Sequence, residues 1–169
     1  MIEVVALATG FVAMEAVSYA AHRWVMHGPA MGWHASHHAP SRDGWERNDL
    51  FPIAFSVPVV GLFAAAGTGI APAWTWWAAA GVSAYGAAYL AIHEQVIHRR
   101  IAAGIRGPRC LSRLRIGHAA HHLDGGEPYG MLLPFVSSSR RRRLAELDRP
   151  AVDGLLVRPF SRRPTRWRL

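Results

Sequence analysis
Apolar residues gather along this chain in three long blocks. Val4 to Ala21 is interrupted only by Glu15, whereas residues 50–70 (LFPIAFSVPVVGLFAAAGTGI) and 72–92 (PAWTWWAAAGVSAYGAAYLAI) carry no charge. Each block has about the length a helix needs to cross a bilayer, roughly 20 residues. The pattern predicts a small integral membrane protein whose second and third blocks form a hairpin turning over Gly67 to Pro72. Pro52 and Pro58 predict a kink or a late start in the second helix. Residues 128–136, PYGMLLPFV, are apolar but too short to span, which predicts an interfacial or site-lining segment. The expected architecture is all-α: an integral membrane helical bundle, with a membrane domain over 1–150 and a basic C-terminal tail, loosely ordered, over 151–169.

Charge orients this bundle. All 19 basic residues are arginine, and none lies in residues 1–22 or between Asn48 and His98. They fall in two blocks, Arg23 to Arg47 and Arg99 to Arg168. If the first helix ends on the cytoplasmic side near His22, the hairpin leaves after Leu50 and returns near His93, and both blocks face the cytoplasm. The outer turn, Gly69 to Ala73, is then uncharged, as the positive-inside rule requires. Basic segments beside a bilayer also attract anionic headgroups, so membrane lipid is an expected partner. Nucleic acid is not, because no groove-reading motif accompanies the arginines. The leading residues MIEVV hold an acid and no base, unlike a signal peptide, so the first helix is expected to be retained. A single cysteine, Cys110, allows no internal disulfide and suits a cytoplasmic face.

All ten histidines occupy three short segments. The pattern H-x4-H followed by H-x2-H-H occurs twice: His22, His27, His34, His37 and His38, then His93, His98, His118, His121 and His122. The spacers differ, six residues against nineteen. Each copy follows a helix running inward, so parity brings both to one face of the bilayer. Imidazole is a common metal ligand. On a helix, His34 with His37 or His38, and His118 with His121 or His122, are neighbours, and each trio can aim at one point. The H-x4-H pairs are less regular, because positions i and i+5 of an α-helix point about 140° apart. Either a π-bulge lets them converge, or their members reach different ions, which is natural if the site holds two metals. Clusters without cysteine exclude thiolate-rich zinc and iron–sulfur sites. HEQVIH is one residue longer than the H-E-x-x-H of zinc proteases, and one zinc needs about three protein ligands rather than ten. Imidazole suits iron, copper, nickel and zinc, and spacing does not choose among them.

The segments HRWVMHG, WHASHH, NDLF, HEQVIH and HAAHH, in this order in so short a chain, resemble bacterial β-carotene hydroxylases. These belong to the membrane-bound fatty-acid-hydroxylase superfamily of histidine-rich di-iron enzymes. The resemblance covers roughly Met14 to Phe135, and each motif histidine has a counterpart here. Many relatives carry aspartate where Glu94 stands, and the charge is kept. The resemblance implies two iron ions held by the ten histidines, O2 as cosubstrate, and hydroxylation of the β-ionone rings of a carotenoid drawn from the bilayer. The arginine pattern is what places the di-metal site on the cytoplasmic side, in a bacterial cytoplasmic membrane. The chain has no G-x-G-x-x-G and no iron–sulfur cysteines, so electrons are expected from a separate ferredoxin or reductase. The arginines can steer an acidic donor, or they reflect topology alone.

Glu15 is a carboxylate within the first helix, seven residues before His22 and on nearly the same face. Such groups usually face a polar site, so Glu15 is expected to accept from a ligand imidazole, the alternative being snorkelling or a structural hydrogen bond. Asp49, Asp124 and Glu127 are similar candidates. Gly81, Ala84, Gly86, Ala87 and Ala88 predict either close helix packing or a slot for a polyene, and Trp74, Trp76 and Trp77 predict an interfacial belt. The rivals are a fatty-acid or sterol hydroxylase or desaturase of the same superfamily, a histidine-rich haem protein, and a metal-binding membrane protein. A transporter would place its ligands at mid-membrane, whereas these lie at helix ends.

Overall fold
The computed structural model describes residues 1–39, 45–100, 111–133, 136–146 and 149–156; Cys110 and the last 13 residues, 157–169, lie outside them. Every regular element among the described residues is helical. Helix α1 (Ile2–Ala20) runs without a break into a π-helical turn, Ala21–Met26, and after a tight turn comes α2 (Met31–His38). A 3-10 turn, Arg47–Asp49, opens α3 (Leu50–Gly67). Helix α4 (Trp74–Tyr89) likewise continues into a π-helical segment, Leu90–Ile97. Three shorter helices follow: α5 (Ser112–Asp124), α6 (Ser138–Ala145) and α7 (Arg149–Leu156).

Two stretches, Ile2–Met26 and Arg47–Gly67, are long and apolar enough to cross a membrane. Their side chains are not core residues: Val4, Val12, Val57 and Val60 are 71%, 69%, 67% and 65% exposed. So much exposed apolar surface on two helices of spanning length suggests a membrane protein. The third expected span is a continuous helix from Trp74 to Ile97, yet it does not reach the apolarity of the other two. Trp, Tyr, Gly and Ser dilute it, and it spends one face on α1 instead of on lipid. The second helix starts at Leu50, ahead of Pro52, and carries Pro58 inside it.

Helices α1 and α4 run parallel at close range. A Cβ on Gly81 would stand 2.0 Å from the Leu7 carbonyl oxygen, and one on Gly10 would stand 2.3 Å from that of Ala78. Two glycines on opposite helices therefore let the backbones touch, which is the packing reading of these small residues. Gly86 differs, since nothing lies within 4 Å of its Cβ position. Parallel packing brings the ends at His22 and His93 together. Beyond them, Ile97, Ala119, Ala120 and Leu156 form a buried cluster that fixes α5 and α7 against the second π segment. The expected boundary between residues 150 and 151 falls inside α7.

Candidate metal centre
Both π segments are explained by the spacing of the histidines they carry. The amide of His27 donates to the carbonyl of His22 at 3.0 Å, and that of His98 to His93 at 3.0 Å. These are i+5 bonds, which define a π-helix. Each H-x4-H pair thus turns both imidazoles the same way, whereas an α-helix would spread them. Convergence by a π turn, not division between ions, is what the chain adopts.

The ten rings form two groups. In the first, the ligand atoms of His22, His27, His34, His38 and His121 all lie within 4.8 Å of one another. Their Nε2 atoms form a chain: His22 to His34 at 3.0 Å, His34 to His38 at 3.1 Å, His38 to His121 at 3.1 Å, and His121 to His27 at 3.1 Å. In the second, those of His37, His93, His98 and His118 lie within the same limit. His122 joins them, its Nε2 3.0 Å from that of His118 and 3.2 Å from that of His37, while His93 and His118 stand 3.1 Å apart. The expectation that each H-x2-H-H trio aims at one point is therefore corrected. His34 and His38 face one centre while His37, on the next flank of α2, faces the other; α5 divides His118 and His122 from His121 in the same way. Each copy of the repeat keeps four histidines and gives its middle one to the other copy. The two last-position rings, His38 and His122, stack between the groups at 4.5 Å and 24°.

The protons of these rings are assigned by their outer partners. His22, His98 and His121 donate from Nδ1 to the backbone carbonyls of Tyr129 (3.0 Å), Leu156 (2.8 Å) and Gly126 (2.6 Å). A carbonyl only accepts, so in these neutral rings Nε2 is a bare lone pair. His34 Nδ1 bonds Asn48 Oδ1 at 2.8 Å, and His93 Nδ1 bonds Glu94 Oε1 at 2.6 Å. His37 Nδ1 faces Glu46 Oε2 at 3.5 Å. Burial holds His34 and His98 down at about 3, His38 at about 4 and His121 at about 2, so these imidazoles are neutral at pH 7. Burial would raise Glu94, but His93 and Arg100 bring it to about 2, and it stays a carboxylate. Lone pairs facing one another at 3 Å without a proton between them repel, and a cation removes the repulsion. First-row ions bind imidazole nitrogen at about 2.0–2.1 Å, which sets ligands at right angles about 3 Å apart. The buried Nε2 of His98 has no hydrogen-bond partner, as a nitrogen reserved for a metal would not. The donor set fits two metal ions with five nitrogens each.

None of the four carboxylates expected to orient an imidazole bonds one directly. Glu15 accepts from the Tyr85 hydroxyl (2.7 Å) and from the amides of Leu132 (3.0 Å) and Leu133 (3.1 Å). It pins the 128–133 segment to α1, and that segment brings the Tyr129 carbonyl to His22. The segment therefore lines the site, though Pro134 and Phe135 lie outside the described residues. Asp49 takes both terminal nitrogens of Arg100 at 2.8 Å, and Arg100 in turn holds Glu94. Glu127 binds Tyr19 and Arg23, and Asp124 binds Arg140 and Arg143. The residues that do orient rings are Asn48, Glu94 and Glu46, with three main-chain carbonyls. Asn48 and Glu94 stand inside the quoted motifs NDLF and HEQVIH; Glu46 had no signal. A polar cavity of about 210 Å³ reaches His37, His98 and His122 beside Glu46 and Arg100.

The family described as fatty acid hydroxylase matches residues 7–138 of this chain. The beta-carotene hydroxylase of Paracoccus sp. (strain PC1) is 32% identical over 158 residues, 90% of this chain and 92% of that protein. The beta-carotene hydroxylase of Pseudescherichia vulneris is 30% identical over 161 residues, 91% of this chain and 90% of the relative. That of Paracoccus sp. (strain N81106 / MBIC 01143) is 36% identical over 125 residues, 73% and 76% of the two chains. No solved structure matches.

Proposed function
The chain belongs to the fatty acid hydroxylase family, among its β-carotene hydroxylases, and we propose that it hydroxylates the β-ionone rings of β-carotene at C3, giving β-cryptoxanthin and then zeaxanthin. It is an oxidoreductase. The observation that carries the reading is the pair of five-nitrogen groups whose Nε2 lone pairs converge while their Nδ1 protons point outward.

The metal is iron, two ions per chain, held by His22, His27, His34, His38 and His121 and by His37, His93, His98, His118 and His122. Iron bound there would supply the activation of O2, which with two electrons and two protons puts one oxygen atom into the ring C–H bond and releases the other as water. The protein's part is to hold the ten rings in place. Asn48, Glu94 and the carbonyls of Tyr129, Gly126 and Leu156 hold the Nδ1 sides of His34, His93, His22, His121 and His98, which turns the Nε2 of these five inward. Arg100 clamps Asp49 and Glu94, so the 3-10 turn before α3 and the second π segment cannot separate.

The site lies on the cytoplasmic side of a bacterial membrane, because the arginines flank the histidine end and the turn at Gly69 to Ala73 carries none. A ferredoxin-type donor delivers the electrons there. Co-expression in cells that accumulate β-carotene tests the reading. Zeaxanthin should appear with the wild-type chain and not with His118→Ala, and the purified protein should hold two iron ions. Unchanged β-carotene with altered fatty acids would move the assignment to the fatty-acid branch of the family.

A further inference from the structure
A second cavity, of about 260 Å³, lies between α1, α3 and α4, away from the polar one. Its inner end is formed by two aromatic residues, each touching a different histidine group. Tyr89 stacks on His93 with centroids 4.7 Å apart and planes at 20°, and Phe51 meets His34 edge-on at 6.4 Å. Its outer end includes Pro52, Ser56 and Leu90, which are exposed on the side where α1 and α3 present apolar surface. The groove thus joins the lipid-facing exterior to the layer directly over both groups.

Its chemistry is one-sided. No charged side chain lines it. The hydroxyls that do are committed within the protein: Ser56 donates to the Ile53 carbonyl, Ser83 to that of Ala79, Tyr85 to Glu15 and Tyr89 to Glu94, and Ser18 is bonded to Tyr85. A carboxylate or hydroxyl headgroup entering here would lose its water and find no donor in return, a large desolvation penalty. A neutral hydrocarbon loses nothing. At about 260 Å³ the groove is just below the usual 300–1,000 Å³ of small-molecule pockets. It holds one end of a long molecule and leaves the rest in lipid.

The geometry points to this groove as the seat of one cyclic hydrocarbon end of the carotenoid, entering sideways from the bilayer, with Gly86 setting its bore. The inference rests on the proposed function and specifies how that site selects its substrate. Gly86 is the small residue of α4 that does not pack: a Cβ there meets open space, unlike the one on Gly81. A larger side chain at 86 therefore fills the groove without pushing α4 off α1. The lack of any charged side chain in the groove argues against the rival occupant, a fatty acid entering by its carboxylate.

Gly86→Leu narrows the groove from α4, and Val59→Phe from the opposite wall on α3. Each is purified with the wild type, and three quantities are read: iron per chain, β-carotene retained per chain in detergent, and zeaxanthin formed in β-carotene-accumulating cells. Both variants should keep wild-type iron and lose at least tenfold in retained and in hydroxylated carotene. Wild-type retention by an iron-loaded variant overturns the proposal. If Gly86→Leu does not accumulate, Val59→Phe decides, with Gly86→Ala expected between it and the wild type. Displacement of retained β-carotene by an equal concentration of oleate would equally overturn the assignment to a neutral hydrocarbon. Wild-type protein that retains β-carotene through this groove but never hydroxylates it would leave the groove standing and remove the proposed reaction.

Discussion
His34 illustrates what a single side chain contributes here. Its Nε2 stands between those of His22 and His38, and it is kept there by one bond from Nδ1 to Asn48. Asn48→Leu removes that acceptor and buries an unpaired N–H, so iron should dissociate about 10–100-fold more readily. Challenge with a chelator measures this, and Asn48→Asp, which keeps an acceptor, should recover most of the loss. The exchanged histidines make a second test. His121 lies in the second copy of the repeat but faces the first group, and His37 does the reverse. His121→Ala should cost iron from the group built mainly by residues 22–38, and His37→Ala from the group built by residues 93–122. Metal analysis should find each single variant closer to one ion than two, with hydroxylation lost in both. Which residues were candidates was legible from the doubled spacing alone. Their outer partners were not, because three of them are backbone carbonyls, which every residue carries, and Glu46 stands in a polar stretch without periodicity. Glu15 takes the second of its two readings, a structural hydrogen bond, for a related reason. Reasoning along its own helix pointed it at His22, whereas its partners at Leu132 and Leu133 lie far along the chain.

At the level of elements, the i+5 spacing admits either a π-bulge or a division of each pair between two ions, and the π turns at His22 and His93 are the first of these. What spacing alone left open was which remedy the chain would take. The α1–α4 contact sets how closely those turns approach each other. Gly81→Ala would put a methyl against the Leu7 backbone, which cannot move aside as a side chain can. We expect a loss of at least about 1–3 kcal/mol, read as a lower thermal midpoint, with both ions bound more weakly because both groups share this seam. Helix α7 is different in kind. It lies beyond residue 138, where the family match stops, yet its last carbonyl takes the proton of His98 and Leu156 closes the cluster under α5. A chain ending at Asp148 should therefore lose iron from the second group and retain it in the first, whereas one ending at Arg158 should keep both. Spectroscopy of the residual iron distinguishes the two outcomes. The sequence read this region as a basic tail because arginine dominates its composition. The short apolar stripe that docks α7 is too brief to register as a period.

For the whole molecule, the bilayer takes the place of a core. The exposed valines of α1 and α3 would be a liability in water, and the largest buried group among the described residues is polar: seven of the ten histidines, with Glu46 and Glu94. The fold therefore has its apolar surface outside and its ligand cage at one end, the reverse of a water-soluble domain. Such a molecule has one free choice, which end faces the cytoplasm. The histidine end carries arginines on both flanks, and moving them across the membrane would cost about 2.5–3.5 kcal/mol each if they passed the hydrocarbon singly. The opposite turn, at Gly69 to Ala73, costs little to translocate. With Cys110 replaced by Ser, a cysteine at Ile70 should react with a membrane-impermeant maleimide added to intact cells. One at Ser139, on the exposed face of α6, should react only after lysis. The opposite labelling would turn the protein over and place the metal centre away from cytoplasmic electron donors, so the proposed source of reducing power would fail along with the orientation.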